Sequence, residues 1–384
     1  LGGIVGGVGQ ALAISLPMTS QGMLYNKMAD ARIRLHEAES TLGTLETARQ
    51  QLKEARADQG IAKNDAAARI ARLESEIARL EPDVPKMQER LVELPRKIAD
   101  DKTIYDAAYK PTLDADGKEV EAKPYDQYYW AGVVSVITSV VLIFGKYGLI
   151  QSFSMAMVAS FTVVTIVNVY VLQTFPRWAA SGEEIMRGLS FGLPEAVGAG
   201  GDQWAAVGTA LAAFGIIGVG ASELIAYPYW CLEKGYARYT GPRDDSEEWA
   251  QRARGWMRVM RVDAWCSMVV YTLATVAFYL LGAAVLARKG LNPEGTEMIR
   301  MLGEMYAPVF GEWARVLFLF GSFAVLYSTF FVANAGHARV FSDALRVFGL
   351  LPDNPTARKW SLTILSGVLP MLCLLAYCVF QSPT

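Results

Sequence analysis

The sequence predicts an all-α fold, a multi-pass bundle of transmembrane helices with an inserted extramembrane α-helical hairpin. Long apolar segments recur along the chain, whereas charged residues are concentrated between about Lys27 and Lys123. Hydrophobic residues make up 52% of the chain and charged residues 19%. The charged fraction is below the roughly 25% that is usual for soluble domains. These compositions indicate one part within a membrane and one part in water.

Seven apolar segments are each long enough to cross a bilayer as a helix. A hydrocarbon core about 30 Å thick requires about 20 apolar helical residues. Because lipid offers no hydrogen bonds, backbone groups must pair within each segment, which favours helices over strands. The segments cover residues 1–24, 128–147, 152–171, 204–232, 264–287, 314–335 and 360–380.

The charged stretch divides the chain into three expected parts. They are a transmembrane helix at 1–26, an extramembrane hairpin at 27–127, and a transmembrane core of six helices at 128–384. Within the hairpin, apolar residues recur at heptad spacing from Ile70 to Leu80 and again from Leu91 to Ile98, which predicts an antiparallel coiled coil. Its charged positions are interpreted as a solvated face. Both chain ends lie in or beside apolar runs, so we expect a fragment without its first helices and incomplete at the C-terminus.

The distribution of basic residues predicts the orientation. Alternate loops form two sets, one with twelve lysines and arginines and the other with five. Seven of the twelve lie between Lys234 and Arg261. Because cytoplasmic loops carry the excess of basic residues, the richer set is expected in the cytoplasm and the hairpin on the outer side of a plasma or inner membrane.

Composition and motifs exclude several classes of protein. A net charge of −2 argues against a nucleic-acid partner. The four cysteines form no CxxC pair, and two histidines are too few for a typical zinc site. No nucleophile–base constellation or phosphate-binding loop indicates an enzyme, and no cofactor is expected. His337, at the predicted end of the sixth segment, is interpreted as a residue at a helix C-terminus.

The segment at 204–232 differs from the other apolar segments. Its 29 residues would extend about 43 Å as one helix, more than the hydrocarbon thickness. Gly215, Gly218 and Gly220 precede Glu223, and Pro228 follows it. Glycine lowers the cost of unwinding a helix, and proline removes a backbone donor. The pattern predicts a broken helix with an acidic residue near the middle of the membrane.

Two interpretations of Glu223 are open at this point. In one, the segment is a kinked packing helix and Glu223 bonds to a neighbouring serine or tyrosine. In the other, freed carbonyls and the carboxylate hold a cation within the membrane. The second is favoured because an ionisable residue inside a membrane is costly to keep there.

Several short motifs resemble the NRAMP family of divalent metal transporters. The resemblance rests on FGKYG at 144–148, RGLSFGLP at 187–194, GIIG at 215–218 and VANAGHA at 332–338. It covers what would be the third to ninth helices of the family and leaves out the hairpin. The chain is expected to be a divergent member of this family.

The resemblance implies a LeuT-like inverted-repeat fold, partial in this chain, with metal held between unwound parts of two helices. The carbonyls of Ala221 and Leu224 and the carboxylate of Glu223 are then the expected metal ligands. The first helix of the family, with its Asp-Pro-Gly-Asn motif, is absent, and the Met-Pro-His of the sixth helix aligns with Leu224-Ile225-Ala226. The chain therefore lacks the thioether that favours softer metals.

The expected function is secondary transport of a divalent cation of the manganese, iron or magnesium class, coupled to protons. The metal is cargo, and the partners are the lipid bilayer, the metal ion and protons; the hairpin has no identified partner. One alternative is a LeuT-fold carrier for amino acids or other organic solutes, which would bind a substrate carboxylate at a half-helix N-terminus. Another is a non-transporting membrane scaffold that displays the hairpin, in which Glu223 could be replaced by glutamine without effect.

Overall fold

The chain is almost entirely helical, as the sequence predicts. A computed structural model describes residues 1–57, 63–113, 119–144, 147–190, 207–208, 210–212, 221–293, 297–311 and 313–380. The helices are α1 (Gly2–Ser15), α2 (Ser20–Ala57), α3 (Lys63–Leu80), α4 (Val84–Ala108), α5 (Asp126–Phe144), α6 (Tyr147–Leu172), α7 (Gly182–Leu189), α8 (Ala221–Glu233), α9 (Glu247–Leu281), α10 (Met298–Gly303), α11 (Ala307–Phe310), α12 (Trp313–Val347) and α13 (Pro355–Phe380). A single π turn, Gly282–Leu286, and a 3₁₀ turn, Ala287–Lys289, continue α9.

The only strands in the described residues are two short ones that follow α4. Strands β1 (Thr112–Leu113) and β2 (Glu119–Val120) are antiparallel, with Thr112 opposite Val120 and Leu113 opposite Glu119. The multi-pass, all-helical prediction is confirmed, since helices supply nearly all of the regular structure.

Five described helices are long and apolar enough to cross a membrane. They are Asp126–Phe144, Met155–Leu172, Glu247–Lys289, Trp313–Val347 and Pro355–Phe380. A sixth candidate is the pair α1 and α2, which pass the same test only together and bend by 87° between them. Of the predicted segment 204–232, most of the first half lies outside the described residues.

The bend between α1 and α2 has a clear physical cause. Pro17 has no backbone donor and cannot continue α1. The carboxylate of Asp126, which is 1% exposed, accepts hydrogen bonds from the Met18 and Thr19 amides at 2.6 and 2.9 Å. The Thr19 hydroxyl in turn accepts a hydrogen bond from the Gly22 amide at 2.9 Å and caps α2. Because α2 then runs unbroken from Ser20 to Ala57, the expected boundary at residue 26 lies inside a helix.

The chain forms two compact units. The first comprises Leu1–Ala179, Ala274–Phe331 and Gly367–Thr384, and the second comprises Ala180–Leu273 and Val332–Ser366. The hairpin belongs to the first unit, where α2 packs against both α3 and α4. Its apolar seam buries Ala48, Ala55 and Leu73, which agrees with the helical periodicity of the sequence.

Close helix packing holds the membrane-spanning part of the first unit together. In α1, a side chain at Gly9 would lie 2.3 Å from the Gln127 carbonyl oxygen, so only glycine allows α1 to approach α5. In α12, a side chain at Gly321 would meet the Phe161 ring at 2.1 Å. Small residues at such contacts stabilise helix pairs in lipid through dispersion and close approach.

Ion pairs connect the hairpin to the membrane-spanning part of the same unit. Asp30 on α2 contacts Arg315 and lies 2.9 Å from Arg300. Two helical turns further on, Glu37 lies 3.2 Å from Lys289 and 2.8 Å from Arg90. Glu37 is 7% exposed, so the interpretation of the hairpin charges as a solvated face is wrong at this position. The reason is that basic residues distant in sequence cover it.

Replacement of Glu37 by glutamine should destabilise the protein. The change leaves Arg90 without its carboxylate partner and leaves Lys289, whose side chain is 5% exposed, paired with Glu304 alone. We expect a loss of about 3 kcal/mol, which is typical of a broken buried ion pair. Thermal unfolding of the purified protein measures the loss. Glu39→Gln, an exposed position on the same helix, is the matched control, and equal stability of the two variants would contradict the ion-pair account.

The ion pairs of Glu37 with Lys289 and Arg90 should also make the stability of the protein depend on pH. Burial raises the pKa of Glu37, but the charges of Lys289 and Arg90 outweigh burial and hold it below the ordinary value of 4.5. A carboxylate with a lowered folded-state pKa stabilises the fold above its unfolded-state pKa, and this stabilisation is lost as pH falls through the folded-state pKa. The stability difference between the parent and Glu37→Gln should shrink below pH 4.5. A difference that stays constant over that range would contradict the assignment.

Candidate functional site

The three residues predicted to bind metal all lie in the first turn of α8. Ala221 begins the helix, and Glu223 and Leu224 follow within the same turn. The side chains of Glu223 and Leu224 are exposed. The three glycines that precede them, and with them the predicted break in the helix, lie outside the described residues. The structure therefore brings the three candidate residues together at one helix end.

Pro228 changes the hydrogen bonding of this turn. In an α-helix, each carbonyl accepts a hydrogen bond from the amide four residues later. The residue four positions after Leu224 is Pro228, which lies inside α8 and has no amide hydrogen. The carbonyl of Leu224 therefore lacks its usual helical donor. A backbone oxygen with a free lone pair thus lies one residue from the carboxylate of Glu223.

The position of Glu223 also permits a simpler role. The first turn of a helix has unpaired amides and a positive dipole end, both of which favour a nearby carboxylate. Within the described residues, Glu223 forms no hydrogen bond or ion pair. The packing interpretation requires a hydrogen bond from Glu223 to a serine or tyrosine. The described residues show no such bond.

One face of α8 packs against the later part of α12 in the second unit. A side chain at Gly336 would lie 3.3 Å from the Trp230 ring and 3.5 Å from the Cβ of Ala226. Arg339 contacts Glu233 at 2.7 Å and lies over the Trp230 ring at 5.2 Å. The two helices therefore approach closely where both carry small residues and are held together by a charged pair at the end of α8.

Glu223 lies on the same side of α8 as Ala226 and Trp230, but its side chain is exposed. It precedes Ala226 by three residues and Trp230 by seven, which is the spacing of residues on one side of a helix. The exposed carboxylate is thus about one helical turn before the first residue of α8 that contacts α12. The sequence alone did not predict this contact, because nothing in it pairs Ala226 with Gly336.

His337 has a different position from the one expected. The helix that contains it continues to Val347, so His337 lies inside α12 and not at a helix C-terminus. Its Nδ1 atom is 2.6 Å from the Ala333 carbonyl oxygen in the preceding turn. The interpretation as a residue at a helix end is wrong because the helix extends beyond the apolar segment, through polar residues that the hydropathy pattern excluded.

A buried polar group in the first unit was not predicted. Thr165 and Asn168 on α6 are 0% exposed, although α6 is a candidate membrane span. The hydroxyl groups of Thr165 and Tyr306 are 2.7 Å apart, and Asn168 donates to the Met305 carbonyl at 3.5 Å. The signal that could have revealed them is two polar residues three positions apart, and therefore on one face, in an apolar span.

The described residues contain no group of three or more histidine, cysteine, aspartate or glutamate side chains able to hold a metal ion. A cation at the first turn of α8 would therefore depend on one carboxylate and on backbone oxygens. Oxygen ligands of this kind suit hard or borderline divalent cations.

Comparison with known proteins gives the chain a family. Searches of curated proteins and of solved structures gave no match. The sequence model of the Nramp family, described as natural resistance-associated macrophage protein-like, matches residues 122–381. This range includes α5, α8 and α12 and leaves out most of the hairpin. Because the match covers more than half of the chain, the protein belongs to the Nramp family of divalent metal transporters.

Proposed function

We propose that this protein moves divalent cations of the manganese, iron or magnesium class across a membrane, coupled to protons. The ligands would be the Glu223 carboxylate and the carbonyl oxygens of Ala221 and Leu224, near the middle of the membrane. The observation that carries the proposal is the first turn of α8, where a carbonyl deprived of its donor by Pro228 lies beside an exposed acid. Membership of the Nramp family supports a divalent cation as the cargo.

The ligand set determines which ions are preferred. Carboxylate and carbonyl oxygens bind magnesium and manganese well, whereas a thioether is the ligand that favours softer ions. The side chain at position 224 is a leucine, so this turn offers no sulfur. We expect weaker discrimination against magnesium and weaker preference for cadmium than a methionine at this position would give.

Proton coupling follows from the chemistry of the carboxylate. A carboxylate must be ionised to bind a metal ion, so metal and proton compete for the same oxygen atoms. Arrival of the cation would therefore release a proton, and release of the cation would allow the proton to return.

Replacement of Glu223 by glutamine tests the ligand role directly. Loss of the charged ligand should reduce manganese influx into vesicles about ten-fold or more, since even outer-sphere partners of metal ligands change affinity by about ten-fold. The pH dependence of influx should also flatten, because glutamine cannot exchange a proton for a metal ion. Influx measured with the purified, reconstituted protein at several pH values checks both effects.

Glu248→Gln is the matched control, because Glu248 is an exposed acid in the first turn of α9. If Glu223 served only to complement a helix dipole, both variants would lose a little stability and keep the parent's ion ranking. A folded Glu223→Gln protein that carries each ion like the parent, at each pH, excludes Glu223 from the permeation pathway.

We also propose that the hairpin lies outside the cell, with the chain in the plasma or inner membrane. In the first unit, the hairpin residue Glu37 contacts Lys289, and Asp30 contacts Arg300. These basic residues belong to the set of loops with few lysines and arginines, which the positive-inside rule assigns to the outer side. The contacts support a common side for the hairpin and these loops.

Cysteine labelling can determine the side of the hairpin. In a protein without its four native cysteines, Lys53→Cys on the hairpin and Glu248→Cys before α9 introduce single exposed thiols. In intact cells, a membrane-impermeant maleimide should react with the cysteine at position 53 and reach position 248 only after the cells are opened. The opposite pattern would reverse the proposed orientation.

A further inference from the structure

A large cavity lies in the first unit, where the hairpin meets the ends of membrane-spanning helices. Its volume is about 760 Å³, within the range of pockets that bind small molecules. The walls come from α2, from the turn at Asp83 and the start of α4, from the link after α6, and from the stretch between Lys289 and Leu319. These elements are far apart in sequence, so the cavity depends on the folded arrangement of the unit.

The wall of this cavity carries an excess of positive charge. Seven of the lining side chains are basic and four are acidic. The acids Asp30, Glu37 and Asp83 already contact arginine or lysine residues of the wall, and so does Glu304. Glu297, behind the wall, also pairs with Arg300 at 2.9 Å. With Glu297 included, the charge around the cavity remains positive.

Two of the basic side chains have no acidic partner among the described residues. Arg34 on α2 and Lys86 on α4 are exposed and line the cavity. Neither forms an ion pair or hydrogen bond with another described residue. They come from two different helices of the hairpin, and folding places both in the wall of one cavity. This arrangement costs electrostatic free energy unless an anion binds there.

Part of the buried wall of the cavity is apolar. Ile14 lies near the end of α1, and Phe318 and Leu319 lie in the second turn of the membrane-spanning α12. Trp178 adds an aromatic ring of the type that is enriched at membrane–water interfaces. The cavity thus combines exposed cationic side chains with a buried wall that contains both apolar residues and ion pairs.

We propose that this cavity binds the phosphate group of an anionic ligand, with Arg34 and Lys86 as the recognition residues. Arginine binds phosphate through two parallel hydrogen bonds, and lysine binds it as a point charge. The phosphate groups of anionic lipid headgroups bind to basic pockets beside membrane helices by the same charge attraction. The phosphate could belong to such a headgroup or to a small anion in solution. The proposal is independent of the metal pathway, which lies in the other unit.

The test uses the full chain, with thermal unfolding as the readout. One arm compares nanodiscs of phosphatidylcholine alone with nanodiscs that also contain phosphatidylglycerol. The other arm adds inorganic phosphate to phosphatidylcholine nanodiscs, with sodium chloride at equal ionic strength as reference. We expect stabilisation in at least one arm. Stabilisation only by phosphatidylglycerol identifies a headgroup, and stabilisation by phosphate identifies a soluble anion.

The variant Arg34→Gln/Lys86→Gln should weaken the apparent affinity about ten-fold or more, since hydrogen bonds to charged groups contribute at least that much. Both residues are exposed and unpaired, so the variant should fold. Arg96→Gln/Lys97→Gln removes the same two residue types from exposed positions of α4 outside the cavity, and should bind like the parent. The proposal is overturned if neither arm stabilises the parent, if chloride is as effective as phosphate, or if both double variants respond alike.

Discussion

The arrangement of the first unit depends on charges that are removed from water where the hairpin meets the membrane-spanning helices. Desolvation of an ion costs several kcal/mol unless a partner of opposite charge compensates it. Asp30 and Glu37 are seven residues apart, so they lie on one face of α2 and reach basic residues at two levels. Arg300 and Lys289, each with a side chain 5% exposed, complete the pairs. The hairpin cannot change its angle without exposing or separating these charges.

The bend at Pro17 also helps to fix the position of the hairpin. Asp126 is the first residue of α5, directly after the hairpin. Its carboxylate accepts hydrogen bonds from the Met18 and Thr19 amides, which directly precede α2. The beginning and the end of the hairpin are therefore joined by a buried carboxylate. Together with the ion pairs, this contact fixes the hairpin at both its base and its side, and it creates the cavity that the hairpin shares with α12.

The membrane-spanning helices and the apolar seam of the hairpin could be predicted because both follow from local periodicity. Leu73 is buried in that seam, as the heptad spacing suggests. The role of Glu37 could not be predicted in this way. The hairpin contains many acidic residues with the same local surroundings, and the partner Lys289 is more than 200 residues away in sequence. Only the three-dimensional contact distinguishes Glu37 from its exposed neighbours.

In the candidate site, too, local features could be predicted from the sequence, whereas contacts between helices could not. That Pro228 deprives the Leu224 carbonyl of its donor follows from sequence and helix geometry alone. The close contact of Ala226 with Gly336 and the burial of Asn168 near Met305 required the structure. In each case the missing information is a partner on another helix. Family membership, from residues 122–381, adds the class of cargo that the side chains alone could not specify.

The most direct test of the proposed transport uses the unaltered protein in sealed vesicles. An internal indicator would report manganese influx, and a second indicator would report internal pH in the same vesicles. We expect manganese to enter only vesicles that contain the protein, with a change of internal pH that scales with the amount of metal carried. Folded protein that carries no manganese, iron(II) or magnesium, or that carries them with no proton movement at any pH, would contradict proton-coupled transport of divalent metals by this chain.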